Sequence, residues 1–199
     1  MEILYQVHSG LYVNLTNKCS SSCVFCLRQT TDSVGDSKSL WLDREPTAGE
    51  VISSLSQRDL SKYREIVYCG FGEPTCALPT LLETAAWLKA HGSPPIRVNT
   101  NGQGSLIAGR DITGDLAACV DTVSVSLNHP DPVEYQRLVR SRFGEDAYSA
   151  MLEFAENCVK RGLRVVMTTV STTITAQDEE RCAMICRRIG AEYRIRPFE

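Results

Sequence analysis

The sequence predicts an α/β fold, a partial and open (βα)6 barrel of parallel strands. Short β-branched runs alternate with helical stretches six times along the 199 residues, which implies a parallel sheet with right-handed crossovers. Six units suit a partial, open barrel better than a closed eight-stranded one. The strands also alternate in polarity. One sets Leu11, Val13 and Leu15 against Tyr12, Asn14 and Thr16; others set Ile96 and Val98 against Arg97 and Asn99, and Val123, Val125 and Leu127 against Ser124, Ser126 and Asn128. A doubly wound sheet, covered on both faces, would read as continuous apolar runs. One face therefore packs on helices, and the polar face turns to a wet, ligand-sized centre.

The elements follow in order. The first strand covers Leu11 to Thr16 and leads into a cysteine-rich loop, then a polar segment from Thr30 to Asp43. A helix starts at Thr47, where Thr47 and Glu50 have capping-box spacing, and runs to about Leu60. The second strand, Glu65 to Cys69, closes on Gly70-Phe71-Gly72-Glu73-Pro74, and its helix runs from Pro79 to Gly92. The third strand, Ile96 to Thr100, ends in Asn101-Gly102, with a weaker helical stretch over Thr113 to Cys119. After the fourth strand, Thr122 to Asn128, the helix is broken into Pro132 to Arg140 and Asp146 to Arg161, with Gly162 beyond its end. The fifth strand is Arg164 to Val170; its helix is capped by Thr175, carries Asp178 in the first turn and ends before Gly190. The sixth strand is Tyr193 to Pro197.

With 43% hydrophobic and 23% charged residues, the chain reads as one globular domain spanning 1–199. A net charge of -3 gives no broad attraction to nucleic acid. The opening residues have no basic region before an apolar core, and no apolar run approaches membrane-span length, so the expectation is a cytoplasmic protein. Nine cysteines, an odd number, then argue for reduced thiols and a metal site over a disulfide framework.

Three of those cysteines fall within eight residues, in Cys19-Ser20-Ser21-Ser22-Cys23-Val24-Phe25-Cys26. Thiolates are soft donors that favour iron–sulfur clusters and zinc, and both are normally closed by four protein ligands. No fourth cysteine follows until Cys69. The loop either borrows a distant ligand or leaves one coordination position open. Its place at the carboxyl end of a strand is where parallel α/β folds bind ligands. At the next strand end, Gly70 and Gly72 allow close backbone approach to a ligand.

Cys-x3-Cys-x2-Cys with an aromatic before the last cysteine, the Gly72-Glu73-Pro74 motif, Thr100-Asn101-Gly102 and Ser124 to Asn128 together resemble the radical S-adenosylmethionine (SAM) superfamily across nearly the whole chain. Cys69-Gly70-Phe71-Gly72-Glu73-Pro74-Thr75, Asn99-Thr100-Asn101-Gly102 and the short length look most like the TatD-linked radical SAM proteins. The resemblance implies a TIM-like partial barrel in which Cys19, Cys23 and Cys26 hold three irons of a [4Fe-4S] cluster and SAM chelates the fourth. Phe25 would pack near the adenine. The backbone of Phe71-Gly72-Glu73, framed by Gly70 and Pro74, would receive the methionine amine, with Glu73 holding the turn or the ammonium. Ser126, Asn128 and Asn99 would reach the ribose or carboxylate, and Arg140 would pair with the carboxylate. The implied reaction is reductive cleavage of SAM to methionine and a 5'-deoxyadenosyl radical that abstracts hydrogen from a substrate the sequence does not identify. That chemistry belongs to the cofactor, so no catalytic side chain is assigned. A one-electron reductant of the flavodoxin or ferredoxin type and a TatD-type metal hydrolase are the implied partners. The alternatives are a glycyl-radical activating enzyme, or an iron–sulfur electron carrier or zinc module that recruits Cys69 or Cys76.

Cys119, Cys158, Cys182 and Cys186 read as core residues, and Cys76 lies close to the expected site. His8, His91 and His129 have no ligand spacing, and His91 reads as a helix C-terminal residue. Arg194 and Arg196 face either a substrate carboxylate or phosphate or the surroundings of the adenine. No cysteine-rich stretch follows the last strand, so neither auxiliary clusters nor a separate substrate domain is expected. Val165 to Val170 lacks the glycine-rich form that often marks an adenine contact.

Overall fold

In the computed structural model, which describes residues 1–197, seven strands form one sheet in chain order. They are β1 (Leu4–Val7), β2 (Gly10–Val13), β3 (Glu65–Tyr68), β4 (Ile96–Thr100), β5 (Thr122–Ser126), β6 (Arg164–Val170) and β7 (Glu192–Arg196). From β2 to β7 every pairing is parallel, and the sheet does not close from β7 back to β1. The open (βα) barrel is therefore present, with six parallel strands and one strand more than expected. β1 pairs antiparallel with β2 through a two-residue turn at His8 and Ser9, and His8 takes φ 52°. A left-handed histidine is an unusual turn residue, so this hairpin lacks the glycine or asparagine that announces one.

The helices are α1 (Ala48–Ser56), α2 (Leu78–Ala90), α3 (Gly104–Ala108), α4 (Thr113–Ala117), α5 (Pro132–Val139), α6 (Asp146–Lys160) and α7 (Ala176–Ile189). Thr47 and Glu50 form the reciprocal capping box at α1, and the Thr175 hydroxyl accepts from the Asp178 amide at α7. α1 stops at Ser56, short of Leu60, and α3 was not anticipated. The core lies between helices and sheet: Leu11, Val13, Ile66, Val98, Val123, Val125, Val165 and Met167 meet Val51, Leu55, Leu81, Leu88, Phe154 and Met151. Cys119, Cys158, Cys182 and Cys186 are all buried there.

The opposite face departs from a uniformly polar lining. Next to β1, Tyr5, Leu40 and Phe71 form a separate apolar cluster with Val7, Tyr12 and Val34 packed on it. The segment between the cysteine loop and α1 supplies Leu40 and Val34. It is laced to the strand ends: Asn14 Nδ2 donates to the Leu40 carbonyl (2.8 Å), Asn17 exchanges two bonds with Leu42, and Gln6 and Asp36 are joined in both directions. Over β4 to β7 the inner face stays polar, with Arg97, Asn99, Ser124, Ser126, Thr168 and Arg194 in successive register rows.

Candidate active site

The cysteine loop leaves the carboxyl end of β2 and docks on the far end of α5. The last carbonyls of a helix have no partner within it. Here the Ser22 amide donates to Val139 O (3.0 Å) and the Val24 amide to Leu138 O (2.9 Å), while Arg142 N returns a bond to Ser20 O (2.9 Å). Gln103, fully buried and missed by the sequence reading, ties the loop from the other side. Its Oε1 accepts from the Ser20 and Ser141 hydroxyls (2.8 Å each), and its Nε2 donates toward Ser21 Oγ (3.3 Å) and Tyr135 Oη (3.2 Å). Asn101 adds a bond to Ser20 Oγ (2.8 Å). The one available signal was a glutamine immediately after Asn101-Gly102 in a strand-end turn.

The Gly70 to Pro74 turn is held against this loop by backbone. Glu73 N donates to Lys18 O (2.8 Å), one residue before Cys19. A β-carbon on Gly72 would lie 2.2 Å from the Thr16 carbonyl oxygen, and one on Gly70 2.1 Å from Asn14 Oδ1, so both glycines serve close approach. The buried Glu73 carboxylate binds protein donors: Thr75 N (3.0 Å), Thr75 Oγ1 (2.7 Å), Thr100 Oγ1 (2.8 Å) and Asn101 N (2.7 Å). Of the two roles open for Glu73, fixing the turn is the one these bonds perform. No described residue donates to the carbonyl oxygens of Gly70, Phe71 or Gly72. The Phe71 ring points away into the Tyr5 cluster, edge-on to Trp41 at 5.1 Å. Pro74 is buried at the start of the short turn Pro74–Ala77.

All three loop cysteines are free and partly exposed. Burial pushes the Cys19 thiol up, with Glu73 adding to it, while the Ser21 amide and Arg28 oppose the rise. Cys23 is pushed up to about 12 by burial and then by Cys19 and Cys26. Cys76 rises to about 12 through burial, then through Glu73 and Cys19, which places it in the same neighbourhood. Cys69 sits apart, on the inner face under Tyr5, where burial raises its thiol and the Asn99 side chain, Arg196 and Arg97 pull it back. Among the described residues no group of three or more His, Cys, Asp or Glu, the three loop cysteines included, is arranged around a single ion.

The remaining expected contacts are dispersed around the mouth. Phe25 is half-buried within the loop. Asn99 is engaged with Arg97 Nη1 (2.7 Å) and the Cys69 thiol. Ser126 makes no side-chain hydrogen bond to any described residue. Asn128 is buried with φ 59°, and its Oδ1 has no hydrogen-bond partner among the described residues. A buried, unpaired amide oxygen is costly in an isolated protein and suits a ligand donor. Arg140 occupies the left-handed C-cap of α5, exposed, next to the carbonyls that anchor the cysteine loop.

Three partly exposed thiols thus lie on one loop, fastened by main-chain bonds, at the carboxyl-terminal mouth of an open (βα) barrel, the end at which such folds bind ligands. The chain belongs to the radical SAM superfamily, whose model matches residues 13–189 and whose members use a [4Fe-4S] cluster and SAM. Among solved structures it resembles Streptococcus suis SuiB bound to precursor peptide SuiA (TM-score 0.73, 14% identity, 96% of this chain and 39% of that one). It also resembles native anSMEcpe with bound AdoMet (0.68, 18%, 94% and 50%) and a radical SAM methyltransferase from Sphaerobacter thermophilus (0.61, 20%, 98% and 57%). The chain thus spans about two-fifths to somewhat over half of these proteins. No curated protein matches it in sequence. No helix among the described residues is long and apolar enough to cross a membrane.

Proposed function

We propose that this chain is a radical SAM enzyme in which Cys19, Cys23 and Cys26 hold three irons of a [4Fe-4S] cluster and SAM occupies the fourth. The observation that carries the reading is the pairing of two strand-end loops through Glu73 N and Lys18 O. This pairing sets three thiols beside a turn whose Gly70, Phe71 and Gly72 carbonyls accept no bond from described residues. When bound, the reduced cluster supplies the electron that cleaves the SAM sulfonium to methionine and a 5'-deoxyadenosyl radical, which takes hydrogen from the substrate.

The chain's own part is to bind and orient. The turn carbonyls receive the methionine ammonium while Glu73 keeps the turn fixed, and Asn128 Oδ1 accepts a SAM hydroxyl or amine. Ser126 would serve the same centre, Phe25 would pack beside the adenine, and Arg140 would supply the cation for the SAM carboxylate. Asn99 acts through Arg97 and Cys69, and the Tyr5 cluster excludes water from the β1 side. The reductant is a flavodoxin or ferredoxin, the compartment is the cytoplasm, and residues 1–199 act as one core domain. The Cys69–Thr75 and Asn99–Gly102 motifs favour the TatD-linked group, with a TatD-type hydrolase as partner.

Anaerobic reconstitution with iron and sulfide tests the reading. The chain should take up about four irons, show a reduced-cluster EPR spectrum that SAM perturbs, and release 5'-deoxyadenosine slowly with dithionite. Each of Cys19→Ala, Cys23→Ala and Cys26→Ala should abolish all three. Loss of cluster in Cys69→Ala or Cys76→Ala, with no response to SAM, would establish the carrier or zinc alternative instead.

A further inference from the structure

Below the mouth, the inner face of the sheet carries a cleft of about 260 Å³. Its charged lining is Glu65, Arg97, Arg164, Glu192 and Arg194. Two of the arginines are spent within the protein. Arg97 forks onto Glu65 through Nε (3.0 Å) and Nη2 (2.7 Å), and its Nη1 bonds to Asn99. Arg164 forks onto Glu192 through Nε (2.7 Å) and Nη2 (2.8 Å). Planar two-point pairing of this kind saturates each carboxylate. Arg194 is exposed, and its side chain has no hydrogen bond or ion pair with any described residue. Among the described residues, three arginines against two carboxylates leave the cleft one net positive charge, and it resides on Arg194.

The register places that charge usefully. Arg194 pairs with Thr168, and Thr168 with Ser126, so all three share one inner row. Ser124, also in the cleft, lies one row nearer the strand starts, about 6.7 Å away along β5. Arg194 therefore stands level with Ser126 and lines a cleft that runs from there toward the strand starts, with Thr122 and Ser124 hydroxyls at hand for neutral bonds.

We infer that Arg194 anchors a single carboxylate of the substrate, so that the enzyme acts on a carboxylic acid or on an acidic side chain of a peptide. This rests on the radical SAM reading for the reaction but not for the binding. The charge balance selects the anion. A carboxylate matches one guanidinium fork, whereas a phosphate dianion brings a second charge toward Glu65 and Glu192 that nothing in the cleft neutralises.

The test is a titration of the full chain, as isolated anaerobically, followed by 1H–15N correlation spectra. Propionate, an acetylated and amidated Ala-Glu-Ala peptide, and inorganic phosphate serve as probes. Saturating shifts are expected for backbone amides of Thr122, Ser124 and Arg194, with dissociation constants in the roughly millimolar range. Arg194→Gln should weaken carboxylate binding about tenfold or more, Arg194→Lys less because the fork is lost but the charge kept, and the solvated-surface control Arg187→Gln not at all. Tighter binding of propionate marks a free acid as the source, and tighter binding of the peptide marks an acidic side chain. Phosphate binding as tightly as propionate, or carboxylate binding indifferent to Arg194→Gln, overturns the assignment. A chain that binds propionate yet assembles no cluster overturns the proposed reaction and leaves this site standing; the converse overturns this site alone.

Discussion

Gly72→Ala adds one methyl group where two strand-end loops touch. The new β-carbon would lie 2.2 Å from the Thr16 carbonyl oxygen and 2.7 Å from that of Lys18, both backbone atoms on the approach to Cys19. Non-bonded heavy atoms rest at roughly 3.5 Å or more, so the loops must part by on the order of 1 Å. Overpacking of this kind costs about 1–3 kcal/mol. Parting also stretches the Glu73 N to Lys18 O bond, and a buried amide left without its acceptor costs about 1–3 kcal/mol more. The expected loss is therefore about 2–6 kcal/mol, a large part of the stability of an ordinary domain. Urea unfolding of the cluster-free chain, compared at constant m-value, measures it. Iron content after reconstitution should fall in parallel, because the displaced atoms lead directly into the cysteine loop. Gly49→Ala is the control: it sits in the first turn of α1 with nothing within 4 Å of its β-carbon, and should gain up to about 1 kcal/mol. If Gly72→Ala unfolds within about 0.5 kcal/mol of the parent and still binds a full cluster, the loops do not meet as described.

Two further outcomes follow from single residues. Asn128→Gly should leave urea stability unchanged or slightly raised, since glycine tolerates φ 59° and the lost amide oxygen was unpaired, while weakening SAM binding about tenfold. Asn128→Ala should lose the same affinity and about 1 kcal/mol of stability as well, and equal SAM binding by parent and both variants would remove Asn128 from the site. Asp111 is held down to about 2, against an ordinary 3.8, by the Thr113 hydroxyl and amide and then by Arg161. A carboxylate lowered on folding stabilises the protein above its ordinary value, and that contribution is lost as pH falls toward about 2. The pair is well exposed, so Asp111→Asn should cost no more than about 1 kcal/mol at neutral pH and flatten the acid limb of stability between about pH 4 and 2. An unchanged acid limb would show that Asp111 titrates alike in both states.

The sequence announces its parallel units because each strand alternates over several residues and each helix carries local punctuation: Thr47 with Glu50, Thr175 with Asp178, Gly190 beyond α7. What escaped notice depends on residues far apart in the chain. β1 is four residues long and turns on a left-handed His8, with no local signal of its own. The apolar cluster on the inner face exists because Leu40 meets Tyr5 and Phe71, a contact that alternation along any one strand does not encode. At the site, Cys19, Cys23, Cys26 and Gly72 declare themselves through spacing. Gln103 does not, since its value lies in hydroxyls from Ser20 and Ser141, 83 and 38 residues away.

The chain shares its fold with SuiB, anSMEcpe and the methyltransferase at 14–20% identity, and the bonds that fasten its own cysteine loop ask little of side-chain identity. The cysteine loop is fastened by Ser22 N to Val139 O, Val24 N to Leu138 O and Arg142 N to Ser20 O, and the neighbouring turn by Glu73 N to Lys18 O. Every one of these is a main-chain bond that any residue except proline on the donor side can make. In this chain residue identity matters where backbone must touch backbone, at Gly72, and where one buried carboxyl group must collect several donors, at Glu73. Side chains take part where Gln103 and Asn101 bond to the Ser20 and Ser21 hydroxyls of the cysteine loop. On this view substrate choice belongs to positions that the fastening bonds ignore, and Arg194, on the edge strand β7 with a side chain that bonds to no described residue, is such a position.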